Sequence, residues 1–324
     1  MTSGRGARRS CLTVPGSSER FLAKARALPA DEVILDLEDA VAPAVKERAR
    51  TLVADALAGD DWAAPVRAVR VNAATSQWAY RDVIEVVERA GQGIGAIVLP
   101  KVSAPAHVVW LDLLLGQLEQ AVRLPLGRIA IEAQIEDAAG LAGVDAIATA
   151  SARLAALVFG PADFMASVGM RSLTVGAAPE GYAGGDAFHY PHSRILVAAR
   201  AAGLQAIDGP YAAIGDIEGL AARSASVAAL GYDGKWVLHP DQIAVVNEAF
   251  APDQASYDRA EQILDAYAHA TASQHRGAVT LDGEMIDEAS RKLAEVASAR
   301  GRAAGLRRTT QFTPPGGPAA TAPA

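Results

Sequence analysis

The sequence predicts a (β/α)8 TIM barrel, an α/β fold, followed by a C-terminal helical extension. Two observations carry this. Eight short apolar runs alternate with longer amphipathic stretches over about 240 residues, the number and length that such a barrel needs. Polar residues then collect where those runs end, the barrel face on which chemistry is found. A doubly wound parallel sheet is the rival arrangement.

The runs, in order, are RSCLTVP (9–15), DEVILDLE (31–38), AVRVN (68–72), GAIVLPK (95–101), RIAIEAQIE (128–136), LAALVFG (154–160), LQAIDG (204–209) and GKWVLHP (234–240). Helix-like segments such as ERFLAKARAL and PAVKERARTLVADAL follow them, with Pro43 at an early helical position. This divides the chain into a flexible N-terminus (1–8), a barrel domain (9–250), a helical extension (251–305) and a disordered Pro/Ala/Thr-rich tail (306–324). With 324 residues, 51% of them hydrophobic, the chain can bury a sizeable core. A net charge of -7 argues against a nucleic-acid binder. The single cysteine, Cys11, excludes an intrachain disulfide and reads as core filler. No apolar run of membrane-spanning length and no signal-peptide core are present, so the expected location is the cytoplasm.

Strand side chains alternate faces, which sorts the polar residues. Asp36 and Glu38 share a face, as do Arg70 and Asn72, and so do Glu132, Gln134 and Glu136. Ile129, Ile131, Ala133 and Ile135 take the opposite face, toward the helices. Lys101, Asp163, Asp208 and His239 stand at or just past other strand ends. A buried carboxylate needs a cation or hydrogen bonds, so many acids at one mouth call for positive charge. Carboxylates with few histidines suit a hard metal, Mg²⁺ or alternatively Mn²⁺, and the pair Glu136 and Asp163 is the best candidate to hold it. Pairing of the acids with rim Arg and Lys is the plainer alternative.

Other motifs carry less. HYPH (189–192) has two histidines at helical spacing, but with Pro191 between them and no third ligand it reads as a surface or substrate loop. GQGIG (91–95) precedes a strand, the wrong order for a dinucleotide loop. KERAR (46–50) reads as a solvated helix face, with phosphate contact by Lys46 or Arg48 as the alternative. In LDGEMIDEA (281–289), Asp282, Glu284 and Asp287 read as caps of a last helix.

Nine motifs in order then resemble one family. RSCLTVPGSSERFLAKA, VILDLEDAVAPAVKERAR, VRVN, LPKV, IEDAAG, FGPADF, AIDGPY, GYDGKWVLHPDQI and GEMID together resemble the HpcH/HpaI aldolase superfamily, in its CoA-ester lyase branch of citrate lyase beta subunits and malyl-CoA and citramalyl-CoA lyases. The resemblance spans about residues 8 to 300. It implies a Mg²⁺-dependent barrel, assembled as a homotrimer or hexamer, that acts on a CoA thioester and a 2-oxo acid. It implies that Glu136 and Asp163 hold the metal and that Arg70 faces the substrate's carboxylate or thioester oxygen. Asp287 becomes a catalytic residue that the extension lends to a neighbouring subunit. Asp36, Glu38 and Asp39 then serve the metal through ordered water, with Lys101 on the substrate and Arg9 near the thioester. Relatives often read IET-A where this chain reads IEDA, so Asp137 and the YPHSRI segment bear on which acyl group is accepted. The reaction implied is cleavage or formation of a carbon–carbon bond in a 3-hydroxyacyl-CoA. A thioesterase and a carrier-dependent citrate lyase subunit are the alternatives.

Overall fold

The computed structural model describes residues 6–59, 61–175 and 179–313. Of the expected flexible N-terminus and disordered tail, residues 1–5 and 314–324 lie outside the described residues. All eight expected strands form in order: β1 (Ser10–Pro15), β2 (Glu32–Asp36), β3 (Val66–Arg70), β4 (Ala96–Leu99), β5 (Ala130–Ile135), β6 (Leu154–Phe159), β7 (Gln205–Asp208) and β8 (Gly234–Val237). Each pairs in parallel with the next, and β8 returns to β1 with Leu12 opposite Val237. That closure rules out the doubly wound sheet. It also leaves the barrel without a strand edge.

Four crossovers run through α1 (Glu19–Ala25), α2 (Lys46–Leu57), α3 (Ala79–Ala90) and α4 (Pro105–Ala121). Two short helices, α5 (Ala138–Ala142) and α6 (Val144–Ala148), follow β5. After β6 come α7 (Pro161–Ser167) and α8 (His189–Ala201), then α9 (Ile217–Leu230) and α10 (Asp241–Ala249) follow the last two strands. The ends are written locally. Ser18, Asp137 and Asp216 cap α1, α5 and α9 by accepting backbone N–H groups, and Pro opens α4 and α7. In α3 the stripe Val83, Val86, Val87 and Ala90 recurs at helical spacing and is buried.

Period-two alternation makes two cores. Val33, Leu35, Ile131, Ile135 and Leu157 face the helices. Cys11, Ile34, Val98, Val158, Ile207 and Trp236 fill the barrel, where the small Ala68, Ala96 and Ala156 make room for the indole. Below this apolar layer lies a charged one. Arg8, expected in a flexible terminus, is instead 5% exposed and sits 3.0 Å from Glu132 and 3.5 Å from Glu32, with a hydrogen bond to Gln205. Burial, and then the neighbouring Glu32, push the Glu132 carboxyl well above the usual range.

KERAR is not a fully solvated face. Lys46 and Arg50 are buried, Arg50 Nε donating to Asp82 at 2.7 Å, while Arg48 stays exposed beside Glu19. Asp82 also accepts from the backbone and side chain of Asn72, whose amide donates to the Leu37 carbonyl, and Lys46 donates to the carbonyls of Leu37 and Glu38. The turn after β2 is therefore held from behind.

The described residues from Ala251 onward form a second compact unit. Within it α11 (Gln254–Gln274) packs on α12 (Glu288–Ala303), and β9 (Val279–Leu281) and β10 (Glu284–Ile286) make a hairpin. Its two-residue loop is Asp282–Gly283, both at positive φ (51° and 86°), as such hairpins require. Residues 306–313, assigned to the tail by composition, lie instead against α11, where Arg308 pairs with Asp265 at 2.8 Å and Thr309 N donates to Asp258 at 2.9 Å. Among the described residues, no helix is long and apolar enough to cross a membrane.

Removing the Arg8 guanidinium leaves two buried carboxyls facing each other, so Arg8→Met should cost about 3–5 kcal/mol near neutral pH. Glu132 holds its proton more tightly folded than unfolded, so its contribution is fullest below the unfolded value and is lost as pH rises through the folded one. Arg8 favours the ionised Glu132 carboxyl, so in urea unfolding the deficit should grow as pH rises toward the raised Glu132 value. A deficit that does not change with pH would place its source elsewhere.

Candidate active site

Eight parallel strands put all their C-terminal ends on one mouth. There Asp36 and Arg70, the last residues of β2 and β3, stand opposite each other in register. Arg70 Nε and Nη2 donate to the two Asp36 oxygens at 2.7 and 2.6 Å, a bidentate pair. Its Nη1 lies 3.2 Å from Glu38, and the guanidinium stacks over the Trp236 ring at 5.3 Å. Although burial works against the charge, Asp36 keeps Arg70 firmly cationic. Asp36 also accepts the backbone N–H of Glu38 and Ala40, at 2.9 and 3.1 Å, which closes the turn.

Lys101, just past β4, joins the strands' acids. Its ammonium donates to Glu38 and lies 3.4 Å from Asp39, while its backbone N–H donates to Glu136 at 2.6 Å. Burial opposes its charge, but the bond to Glu38 wins and raises its pKa. So the cations answering Asp36, Glu38 and Asp39 are Arg70 and Lys101. Asp36 in particular is bonded to Arg70 and to its own turn.

Glu136 follows β5 and is 2% exposed; Asp163 sits in the first turn of α7 and is partly exposed. Burial first, then the Asp163 charge, push the Glu136 carboxyl up to about 8. Gln134 Nε2 donates to its other oxygen at 2.7 Å, and Gln134 Oε1 is buried with no hydrogen-bond partner. Gly160 allows this arrangement, because a Cβ there would collide with Glu136. Two neighbouring carboxyls, one with its ionised form disfavoured by burial and by the other's charge, with an idle buried oxygen nearby, fit a hard divalent cation. Among the described residues no three His, Cys, Asp or Glu side chains group to hold a metal. The pair would therefore leave the other positions to water and ligand.

Comparison with known proteins shows the family. The HpcH/HpaI aldolase/citrate lyase family profile matches residues 9–240. The chain belongs to this family. The L-malyl-CoA/beta-methylmalyl-CoA lyase of Cereibacter sphaeroides is 38% identical over 293 residues, 87% of this chain and 91% of that one. The citrate lyase beta subunit of Escherichia coli is 33% identical over 300 residues, 93% of this chain and 95% of that one. Among solved structures, CitE from Mycobacterium tuberculosis in complex with magnesium, acetoacetate and coenzyme A has a TM-score of 0.68 at 29% identity, covering 92% of this chain and 99% of that one. The family membership implied by the ordered motifs is borne out.

Other expected residues of this family member fall elsewhere. Arg9 precedes β1, at the end of the barrel opposite the mouth, and forms a two-pronged pair with Asp31 at 2.7 and 2.9 Å. Strand direction alone removes it from the strand-end cluster. Asp287 lies in the second unit and caps α12, accepting from Ala289 N and Ser290 N at 3.0 Å each. Those backbone bonds, Ser290's first, hold its carboxyl below the usual range. Asp282 and Glu284 are not caps; both pair with Arg259. Asp137 caps α5 through Gly140 N at 2.5 Å, the same service a threonine gives, so its departure from relatives is mild. His239 is half exposed beside Asp241. In HYPH, His189 is exposed but His192 is 2% exposed and bonded to Asp208 at 2.9 Å, a buried residue rather than a loop residue. Lys235, also bonded to Asp208, went unread; its signal was a charge inside an otherwise apolar strand.

A divalent cation held by Glu136 would have to displace its proton. Its affinity should therefore rise about tenfold per pH unit below about pH 8 and level off above. Calorimetric Mg²⁺ titrations across that range would show it, with one proton released per ion at the acid end; a flat profile would detach Glu136 from the cation.

Proposed function

We propose that this chain is a Mg²⁺-dependent lyase that breaks or forms the carbon–carbon bond of a 3-hydroxyacyl-CoA, with acyl-CoA and a 2-oxo acid on the other side of the reaction. The observation that carries the proposal is the buried Glu136 carboxyl, pushed up to about 8 by burial and by the nearby Asp163, at the same mouth as the Arg70 clamp. The 38% identity to an L-malyl-CoA/beta-methylmalyl-CoA lyase supports malyl-CoA, methylmalyl-CoA and citramalyl-CoA as the substrates to try.

Glu136 and Asp163 would hold the ion, which when bound supplies Lewis-acid polarisation and a template for the 2-oxo acid's oxygens. Lys101 N–H and Gln134 orient the Glu136 carboxylate from both sides. Cleavage leaves an electron pair on the carbon next to the thioester, delocalised onto the thioester oxygen. Arg70 is already aimed and desolvated, with donors left on Nη1 and Nη2, and can stabilise that charge without reorganising. Asp287 is the proposed proton-transfer group, lent by a neighbouring copy in a homotrimer or hexamer. Alone it is ionised by its cap bonds; covering it would withdraw water and lift its pKa toward a useful value. Such an enzyme would work in the cytoplasm.

The test incubates the protein and Mg²⁺ with each CoA ester, with and without EDTA, and assays both product halves. EDTA-sensitive 2-oxo acid with acyl-CoA supports the lyase; free CoA with intact hydroxy acid makes it a thioesterase; no product from any ester points to a carrier-dependent citrate lyase subunit. Arg70→Met should lower kcat by about a hundredfold to a thousandfold, or about 3–4 kcal/mol. Asp287→Asn should cripple turnover while Mg²⁺ affinity stays intact, and unchanged turnover would remove it from the mechanism.

A further inference from the structure

Behind the mouth, between sheet and helices, lies a charged cluster that the proposed reaction does not use. Asp208 ends β7 and stands opposite Lys235 in register. Their neighbours Ile207 and Trp236 point into the barrel, so both charges point outward, 3% and 2% exposed. Lys235 Nζ donates to Asp208 Oδ2 at 2.5 Å and to the Gly209 carbonyl at 2.6 Å. His192, on α8, donates from Nε2 to Asp208 Oδ1 at 2.9 Å. Its Nδ1 faces Arg223 Nη2 at 3.5 Å. Tyr232 donates to the His192 carbonyl at 3.0 Å, and the Phe159 and Tyr232 rings meet the imidazole edge-on at 4.9 and 5.3 Å.

A buried ion pair is a poor source of stability, because apolar residues of the same volume serve as well or better. Its use here lies in what it holds. Gly209 rests directly on Pro161, the first residue of α7: a Cβ on Gly209 would collide with Pro161 and with the Phe159 carbonyl. Asp163 follows in that same first turn. The helix has only seven residues and its N-cap, Gly160, offers no side-chain cap, so packing must fix its position. Pro161, Asp208, His192 and Lys235 line one small cavity together.

We propose that Lys235, Asp208 and His192 are positioning residues that seat Gly209 against Pro161 and thereby set where α7 presents Asp163 to the metal. The inference rests on the reading of Asp163 as a metal ligand. Lys235→Met removes the bond to Gly209 while keeping the stem's volume. Gly209→Ala pushes Pro161 directly and leaves every buried charge in place.

Mn²⁺ binding to the full chain, followed by the free-ion paramagnetic resonance signal, reads the effect without turnover. Both variants should keep the wild-type circular dichroism and bind Mn²⁺ about tenfold or more weakly. At saturating metal, kcat should return to near the wild-type value. A lowered Tm with unchanged Mn²⁺ affinity would make the cluster merely structural and overturn the proposal. Should Lys235→Met fail to fold, Gly209→Ala decides alone. Asp163→Asn is the control. If it binds as tightly as the wild type, the metal reading itself fails; if it loses the ion while both variants keep it, only the brace falls.

Discussion

Arg70 gripping Asp36 across adjacent strand ends is the contact around which the mouth is organised. It exists because β2 and β3 pair in a register that sets their last residues side by side. From it follow the orientation of Glu38, which bridges Arg70 to Lys101, and the placing of Lys101, whose backbone meets Glu136. A one-residue slip of β3 would send Arg70 to the helix side and leave Asp36 buried without its cation. That constraint explains why a strand as apolar as Val33–Ile34–Leu35 can end in acid: the counter-charge is built into the next strand.

The barrel interior is layered by charge. At the floor Arg8 answers Glu32 and Glu132; at the mouth Arg70 and Lys101 answer Asp36, Glu38 and Asp39; between them Ile34, Val98, Val158, Ile207 and Trp236 keep water out. An apolar layer separates the two charged ones. The floor has its cation supplied by the chain. At the mouth, the Glu136–Asp163 pair does not, and that asymmetry marks it for a ligand.

Much of this was legible beforehand because it depends on periodicity and order. Glu132, Gln134 and Glu136 fall on one face by counting, and Ile131 and Ile135 on the other, as the two cores show. What failed were statements about partners distant in sequence. Arg9 was placed by likeness of motif, whereas strand direction sends it to the far end with Asp31. Asp282 looked like a cap, but Asp–Gly between two three-residue strands is a hairpin signal. His192 and Lys235 meet only through Asp208, and no local pattern reports a contact made by three separate elements.

Lys101 is one of the few non-glycine residues at positive φ, 52°. A left-handed backbone costs a side chain about 1–2 kcal/mol, and glycine would avoid it. Glycine, however, could offer only the amide. In this twisted conformation one residue reaches two acids in divergent directions, Glu136 through its main chain and Glu38 through its side chain. The position thus behaves as a hinge pin between two carboxylates. A change in the charge of either acid is felt by the other through a single residue, with no intervening helix having to move.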